Sequence, residues 1–254
     1  MPKISVILPT WIVNYELYDL TNQTLISLHN SDGWSECELI IIDNSSPIGG
    51  DQLLMNCDVY IRNKENLGYP KAVNQGLKLA KGDLIVIANN DIRVSPNWIE
   101  ITKETFKRLD NVGSLHFKMV GYDEPFNLGE AVWDKGKERW CTGSFFVWNK
   151  KAIRDIENFK TREVIDEKYG LGGYDDWDWH HRMNHLKNWK SVYTNAAAYQ
   201  HKDSTTQNLR NKDERTKSDE RNREYFKSKF GKYPEEIWEE KYPNQMNKEW
   251  RPFP

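Results

Sequence analysis

Little in this chain points to a nucleic-acid partner, a membrane or a disulfide framework. Its 36 Lys and Arg oppose 38 Asp and Glu, so a net charge of −2 supplies no global basic field for a polyanion. No stretch approaches the roughly 18 consecutive apolar residues of a membrane helix. The opening MPKISVILPTW lacks the long apolar core and small-residue cleavage site of a signal peptide. Cys37, Cys57 and Cys141 are odd in number and far apart, with no CxxC pair, which fits free thiols in a reducing compartment. A soluble, cytoplasmic protein is the expectation. The familiar nucleotide loops are missing too: no GxGxxG follows the first apolar run, and no GxxxxGK[ST] occurs anywhere.

What is present is a repeating alternation of strand and helix patterns. The 254 residues suit one large domain, or one domain with an appendage. Short apolar runs at 4–8, 38–42, 59–61 and 84–88 predict strands. Helix-spaced apolar residues predict helices over 17–28, 70–80 and 96–109. Such βαβ order over the first 110 residues implies a parallel sheet. Further on, 114–120, 142–148 and 191–199 predict strands, and 152–158 and 176–188 predict helices, with a loop over 161–173 ending in GLGG. Residues 202–223 are almost wholly polar and predict a solvated helix or loop. The aromatics of 225–243 then predict a helical tail folding back on the body.

Parallel α/β sheets bind ligands beyond the carboxyl ends of their strands. Here those ends carry Pro9-Thr10, Asp43-Asn44-Ser45-Ser46, residues 63–68 and Asn89-Asn90-Asp91. Any one of them alone reads as a turn. Together on one rim they imply a pocket for a polar ligand. A carboxylate after the second strand can accept hydrogen bonds from a ribose or base. A carboxylate after the fourth can hold a divalent cation, which would neutralise a diphosphate.

In order, these stretches resemble a family 2 glycosyltransferase of the GT-A fold, over roughly residues 4–204. The matching pieces are SVILPTW, IIDNSS, the long run NKENLGYPKAVNQGLKLAKGDLIVIANNDIRVSPNWIE, then GGYDDWDWHHRM and YQHKDST. The resemblance implies a Rossmann-like, mostly parallel sheet flanked by helices, with a helical or irregular C-terminal tail. It divides the chain into a catalytic domain at 1–203, whose 1–110 binds the nucleotide sugar and whose 111–203 binds the acceptor, and a charged extension at 204–254. The family's DxD metal motif reads Asn89-Asn90-Asp91 here, leaving one protein carboxylate.

The resemblance also assigns roles. Asp91 and His201 would hold a divalent metal, Mn²⁺ by preference because imidazole suits it better than Mg²⁺. Asp176 would be the general base, with Asp175 beside it; crowding of carboxylates raises a pKa. Pro9, Thr10, Asp43, Asn66, Gly68, Lys71, Asn74, Asn89 and Asn90 would contact the donor, Asp43 foremost. Trp140, Gly143 and Ser144 would line the sugar and acceptor pocket, and Trp177 or Trp179 would stack on the acceptor. Asp178 and Arg182, four apart on a helix, pair as support. One base and no second carboxylate nucleophile imply inversion. The expected activity is transfer from a nucleotide-diphosphate sugar, a UDP-sugar favoured, to a hydroxyl. The acceptor stays open between a glycan, a lipid-linked sugar, a protein and a modified nucleobase, and the oligomeric state is unset. A nucleotidyltransferase, or a binding module of the same fold without turnover, are the alternatives.

Overall fold

A computed structural model of the chain describes residues 4–129, 143–202 and 212–241. The first strand, β1 (Ile4–Thr10), is buried along its whole length. It pairs in parallel with β2 (Cys37–Asp43) on one side and β4 (Leu84–Ala88) on the other. Beyond β2 lies β3 (Val59–Arg62), also parallel. The second half of the sheet changes sense. β7 (Phe145–Asn149) runs antiparallel to β4 and to β6 (Val112–Gly121). β6 pairs in parallel with the long β8 (Lys190–His201), and β5 (Ile92–Val94) closes that edge antiparallel to β8. Among the described residues the order is β3-β2-β1-β4-β7-β6-β8-β5.

Both faces of the sheet are covered, because alternate residues of a strand point to opposite sides. From β1, Ile4, Val6 and Leu8 enter one apolar layer with Leu17 and Leu20 of α1 (Tyr15–His29) and Trp98 of α4 (Trp98–Arg108). Ile7 enters the other, with Val73 of α3 (Tyr69–Leu79), Ile153 of α5 (Lys150–Ile156) and Trp179 of α6 (Asp175–His181). A short α2 (Gly50–Leu53) follows β2. Asn14 caps α1 by accepting from the Leu17 amide at 2.8 Å, so that helix starts at a fixed angle just after β1.

The structure differs from the sequence reading in three informative places. β5 has three residues and follows the polar triplet directly, too short to register as a periodic run. The helix expected over 176–188 stops at His181 and passes into a π-helical turn, Arg182–Leu186, where Asn184 turns inward to Ser191 and His180. Residues of the polar run form α7 (Lys212–Phe230), and it is not solvated all round: Asn222 and Phe226 are buried. α8 (Pro234–Lys241) packs beside it, with Arg223 paired to Glu235. Among the described residues no helix is long and apolar enough to cross a membrane.

Candidate functional site

Thr10 and Asp43 lie side by side in the β1/β2 register, at the carboxyl ends of both strands. Burial leaves the Thr10 hydroxyl without a hydrogen-bond partner. Buried hydroxyls are rarely left so. The Asp43 carboxylate is fully buried and nearly saturated. Oδ1 accepts from the Ser46 amide at 2.8 Å, and Oδ2 accepts from the Tyr60 hydroxyl at 2.8 Å and from Arg62 at 2.5 Å. Each carboxylate oxygen offers about two acceptor positions, so Oδ1 keeps one. Tyr60 and Arg62, on β3, were invisible in the sequence because only strand pairing brings them to Asp43.

The loop before α3 is shaped by close approach. Asn66 accepts from the Gly68 amide at 2.9 Å. Gly68 has φ 87°, and a Cβ there would meet the Gly170 carbonyl oxygen at 2.3 Å. Any other residue would push the GLGG loop away. Lys71 is exposed on α3. Asn74 binds the chain at 164–167. It donates to the Ile165 carbonyl at 2.7 Å and accepts from the Val164 and Ile165 amides at 3.1 Å. Asn90 is buried and donates to Thr21 Oγ1 at 2.9 Å. The Asn74 amide is engaged at both its nitrogen and its oxygen.

The Asp91–His201 corner is made by the strand the sequence concealed. Pairing of β5 with β8 sets Ile92 opposite His201, and the Lys202 amide donates to the Asp91 carbonyl at 3.0 Å. His201 is thereby delivered to Asp91 from 110 positions further along the chain, with Nε2 3.2 Å from Asp91 Oδ1. That oxygen is buried and makes no hydrogen bond. A buried carboxylate oxygen and an imidazole nitrogen converging in this way fit a divalent cation. Among the described residues no group of three or more His, Cys, Asp or Glu could hold one alone. On its other nitrogen, His201 Nδ1 lies 3.3 Å from Ser144 Oγ. The Ser144 carbonyl in turn accepts from the Asn89 amide at 2.8 Å.

Ser144 leads directly to the acidic pair. A Cβ on Gly143 would lie 3.8 Å from Asp176 Oδ2, in ordinary contact. The Gly143 carbonyl accepts from the Tyr69 hydroxyl at 3.0 Å, which ties this segment to the start of α3. Asp175 and Asp176 open α6. Asp175 Oδ1 accepts from the Gly173 amide at 2.7 Å, and Asp176 Oδ1 accepts from the Trp177 amide at 2.9 Å. Burial pushes the Asp175 carboxyl up to about 6. Burial and then the neighbouring Asp175 push Asp176 up to about 7. A carboxyl in that range gains and loses a proton near neutrality, as a general base must.

Asp178, two residues on, is fully buried and held by three groups. Arg182 donates at 2.6 Å, the Tyr169 hydroxyl at 3.1 Å and Lys229 of α7 at 2.6 Å. Arg182 also donates to the carbonyls of Ile156 and Val164. Trp179 is core, stacked near Phe146 and His116. Trp177 is half-buried and meets Trp238 of α8 edge-on at 6.4 Å. Trp140 lies outside the described residues.

Comparison with known proteins bears on family and fold. The model of glycosyl transferase family 2 matches residues 5–165. A Bacillus subtilis protein described as an uncharacterized glycosyltransferase, YfnE, is 32% identical over 180 residues, which is 66% of this chain and 43% of that protein. The chain thus spans less than half the length of this relative. Among solved structures, S. aureus TarS (1–349) is 16% identical with a TM-score of 0.61, over 78% of this chain and 60% of its own. The mannosyltransferase PcManGT of Pyrobaculum calidifontis, solved with GDP-Man and Mn²⁺, is 15% identical with a TM-score of 0.59, over 78% and 56%. GalNAc-T7 with UDP, GalNAc and Mn²⁺ is 13% identical with a TM-score of 0.62, over 79% and 44%. The shared fold is the GT-A fold.

Proposed function

The chain belongs to glycosyl transferase family 2, and on that premise we propose that it is an inverting enzyme moving a sugar from a nucleotide-diphosphate sugar, a UDP-sugar by preference, to an acceptor hydroxyl. The observation that carries this reading is that both ends of the site converge on one short segment: Asp91 meets His201, whose Nδ1 lies 3.3 Å from Ser144 Oγ, and the adjoining Gly143 lies close to the Asp176 side chain. Diphosphate and base are served at neighbouring points, as a one-step displacement at an anomeric carbon needs.

Residues 1–110 bind the donor, with Thr10 and Asp43 at the nucleoside. Residues 111–203 bind the acceptor, and 204–254 extend the catalytic domain. Asp176 takes the proton from the acceptor hydroxyl as its oxygen bonds to the anomeric carbon, and the bond from that carbon to the diphosphate oxygen breaks on the opposite face. The nucleoside diphosphate leaves, and the anomeric configuration inverts. Asp91 and His201 would hold a divalent cation, Mn²⁺ in preference to Mg²⁺, which when bound neutralises charge on the leaving diphosphate. The buried, unbonded Asp91 oxygen supports that assignment. TarS has been solved with UDP and with UDP-GlcNAc, which supports a uridine donor here. A cytoplasmic setting goes with the free thiols Cys37 and Cys57.

The test is release of UDP or GDP from a panel of nucleotide sugars, with Mn²⁺ and with chelator, against an acceptor screen read by mass spectrometry. Metal-dependent release coupled to a glycosylated product is expected. Binding of UDP without turnover of any donor would make the chain a binding module instead.

A further inference from the structure

The family match ends at residue 165, before the acidic pair and well before α7. Yet α7 reaches into the segment that carries that pair. Asn222 is fully buried in a helix whose other residues are mostly charged. Its Nδ2 lies 3.1 Å from the Tyr169 carbonyl, 3.1 Å from that of Gly172 and 2.9 Å from that of Gly173. An amide has two hydrogens, so one is shared among the three oxygens. Arg221 donates to Asn222 Oδ1 at 3.0 Å, which sets the orientation of the amide.

The segment it grips needs gripping. Gly172, Gly173 and Tyr174 have φ of 120°, 96° and 65°, three successive residues on the left-handed side. For Tyr174 that backbone is strained, and strain persists only where surroundings impose it. Asp175 and Asp176 come next. The same helix holds the segment at two further points: the Tyr225 hydroxyl donates to Asp166 at 2.9 Å, and Lys229 bridges Asp166 at 2.7 Å and Asp178 at 2.6 Å.

We propose that Asn222 is a positioning residue: with Lys229 it clamps the 166–174 segment from α7 and thereby sets where Asp176 meets the acceptor hydroxyl. The proposal rests on Asp176 being the base. Asn222 touches neither donor nor acceptor, so its loss should act on turnover and leave donor binding alone. A misplacement of about 1 Å at a reacting group costs on the order of a hundredfold in rate.

The experiment uses the full chain with Asn222→Ala, and Lys229→Met as the variant that opens no buried hole. Three quantities are read: UDP affinity with Mn²⁺, kcat and KM on a UDP- or GDP-sugar turned over by the wild type, and amide hydrogen exchange of peptides covering 166–178. For Asn222→Ala, kcat should fall at least about tenfold, with donor KM and UDP affinity within about twofold of wild type. Exchange should quicken in 166–178 and stay unchanged in 4–88. Lys229→Met should show the same pattern more weakly, and it carries the test should Asn222→Ala not fold. A folded variant with wild-type kcat, or one whose whole loss lies in donor KM, overturns the clamp. If the wild type turns over no donor, the activity reading fails by itself. Exchange then decides the clamp: unchanged protection of 166–178 overturns it.

Discussion

The two halves of the sheet build their share of the site in different ways. In the parallel half, β3-β2-β1-β4, each contribution sits at the end of its own strand: Thr10 and Asp43 fall into line through parallel register, and Asn89 follows directly on β4. In the mixed half, β7-β6-β8-β5, the contributions come from distant segments and meet only through antiparallel pairing and loop contact. His201 reaches Asp91 because β8 is 12 residues long and β5 pairs with its far end. Asp176 reaches Gly143 because Gly68, Tyr69 and Asn222 hold the intervening loops together. On the proposed function, the first half provides a binding rim and the second adjusts protons and charge upon it.

That contrast is open to attack by substitution. The largest effect is expected at Asp176. Asp176→Asn removes the base and should lower transfer by roughly 10²- to 10⁴-fold in a steady-state assay. Next comes the Asp91–His201 corner. His201→Ala should weaken UDP binding in the presence of Mn²⁺ by about tenfold or more by calorimetry, and chelator should weaken wild type but barely affect the variant. Equal chelator sensitivity would remove His201 from the metal account.

Asn74→Ala breaks the fold side of the contrast. It leaves the Val164 and Ile165 amides and the Ile165 carbonyl without their partner, and should cost about 3 kcal/mol in urea unfolding. Nucleotide affinity of the folded protein should stay near wild type, since this amide is engaged with the 164–167 chain. Nucleotide contact by Asn74 would show as a loss of affinity in protein that remains folded.

The acidic pair makes two pH predictions. The base must be deprotonated, so kcat/KM should rise with pH and level off above about 7, the region to which Asp176 is raised. Asp175→Asn removes the like charge and should move that limb to lower pH. Stability runs the other way. Carboxyls raised to about 6 and 7 from 3.8 contribute stability fully present below pH 3.8 and lost as pH rises through 6 and 7. Asp176→Asn should therefore raise Tm by a few degrees at pH 8 and by much less at pH 4 in a thermal melt. The smallest effect belongs to Lys71→Ala. Its side chain is exposed, and donor KM should move by less than about twofold.

The two halves were also unequally legible from sequence. Strand-and-helix alternation predicts the parallel half closely, because β1, β2 and β4 carry apolar runs buried on both faces: the run at 84–88 coincides with β4. Polar residues after such runs mark the rim without further information. β5 escaped because three residues carry no period, and with it went the reason for the meeting of Asp91 and His201; only the resemblance to a family linked them. The polar run before Phe226 read as solvated because 1 buried asparagine on a charged helix leaves no apolar stripe. Asn90 and Asn74 were drawn toward the donor by their neighbours in sequence. Both are buried and hydrogen-bonded within the fold, Asn74 to the 164–167 chain and Asn90 to Thr21, contacts that their neighbours in sequence do not reveal.

The central claim is that donor binding and chemistry are separable between the two halves. Its most direct test is Asp176→Asn measured twice on one preparation: UDP affinity with Mn²⁺ by calorimetry, and sugar transfer by mass spectrometry. Unchanged affinity with transfer reduced at least about a hundredfold is the predicted result. Full transfer by the variant, or loss of UDP binding in step with transfer, would contradict it.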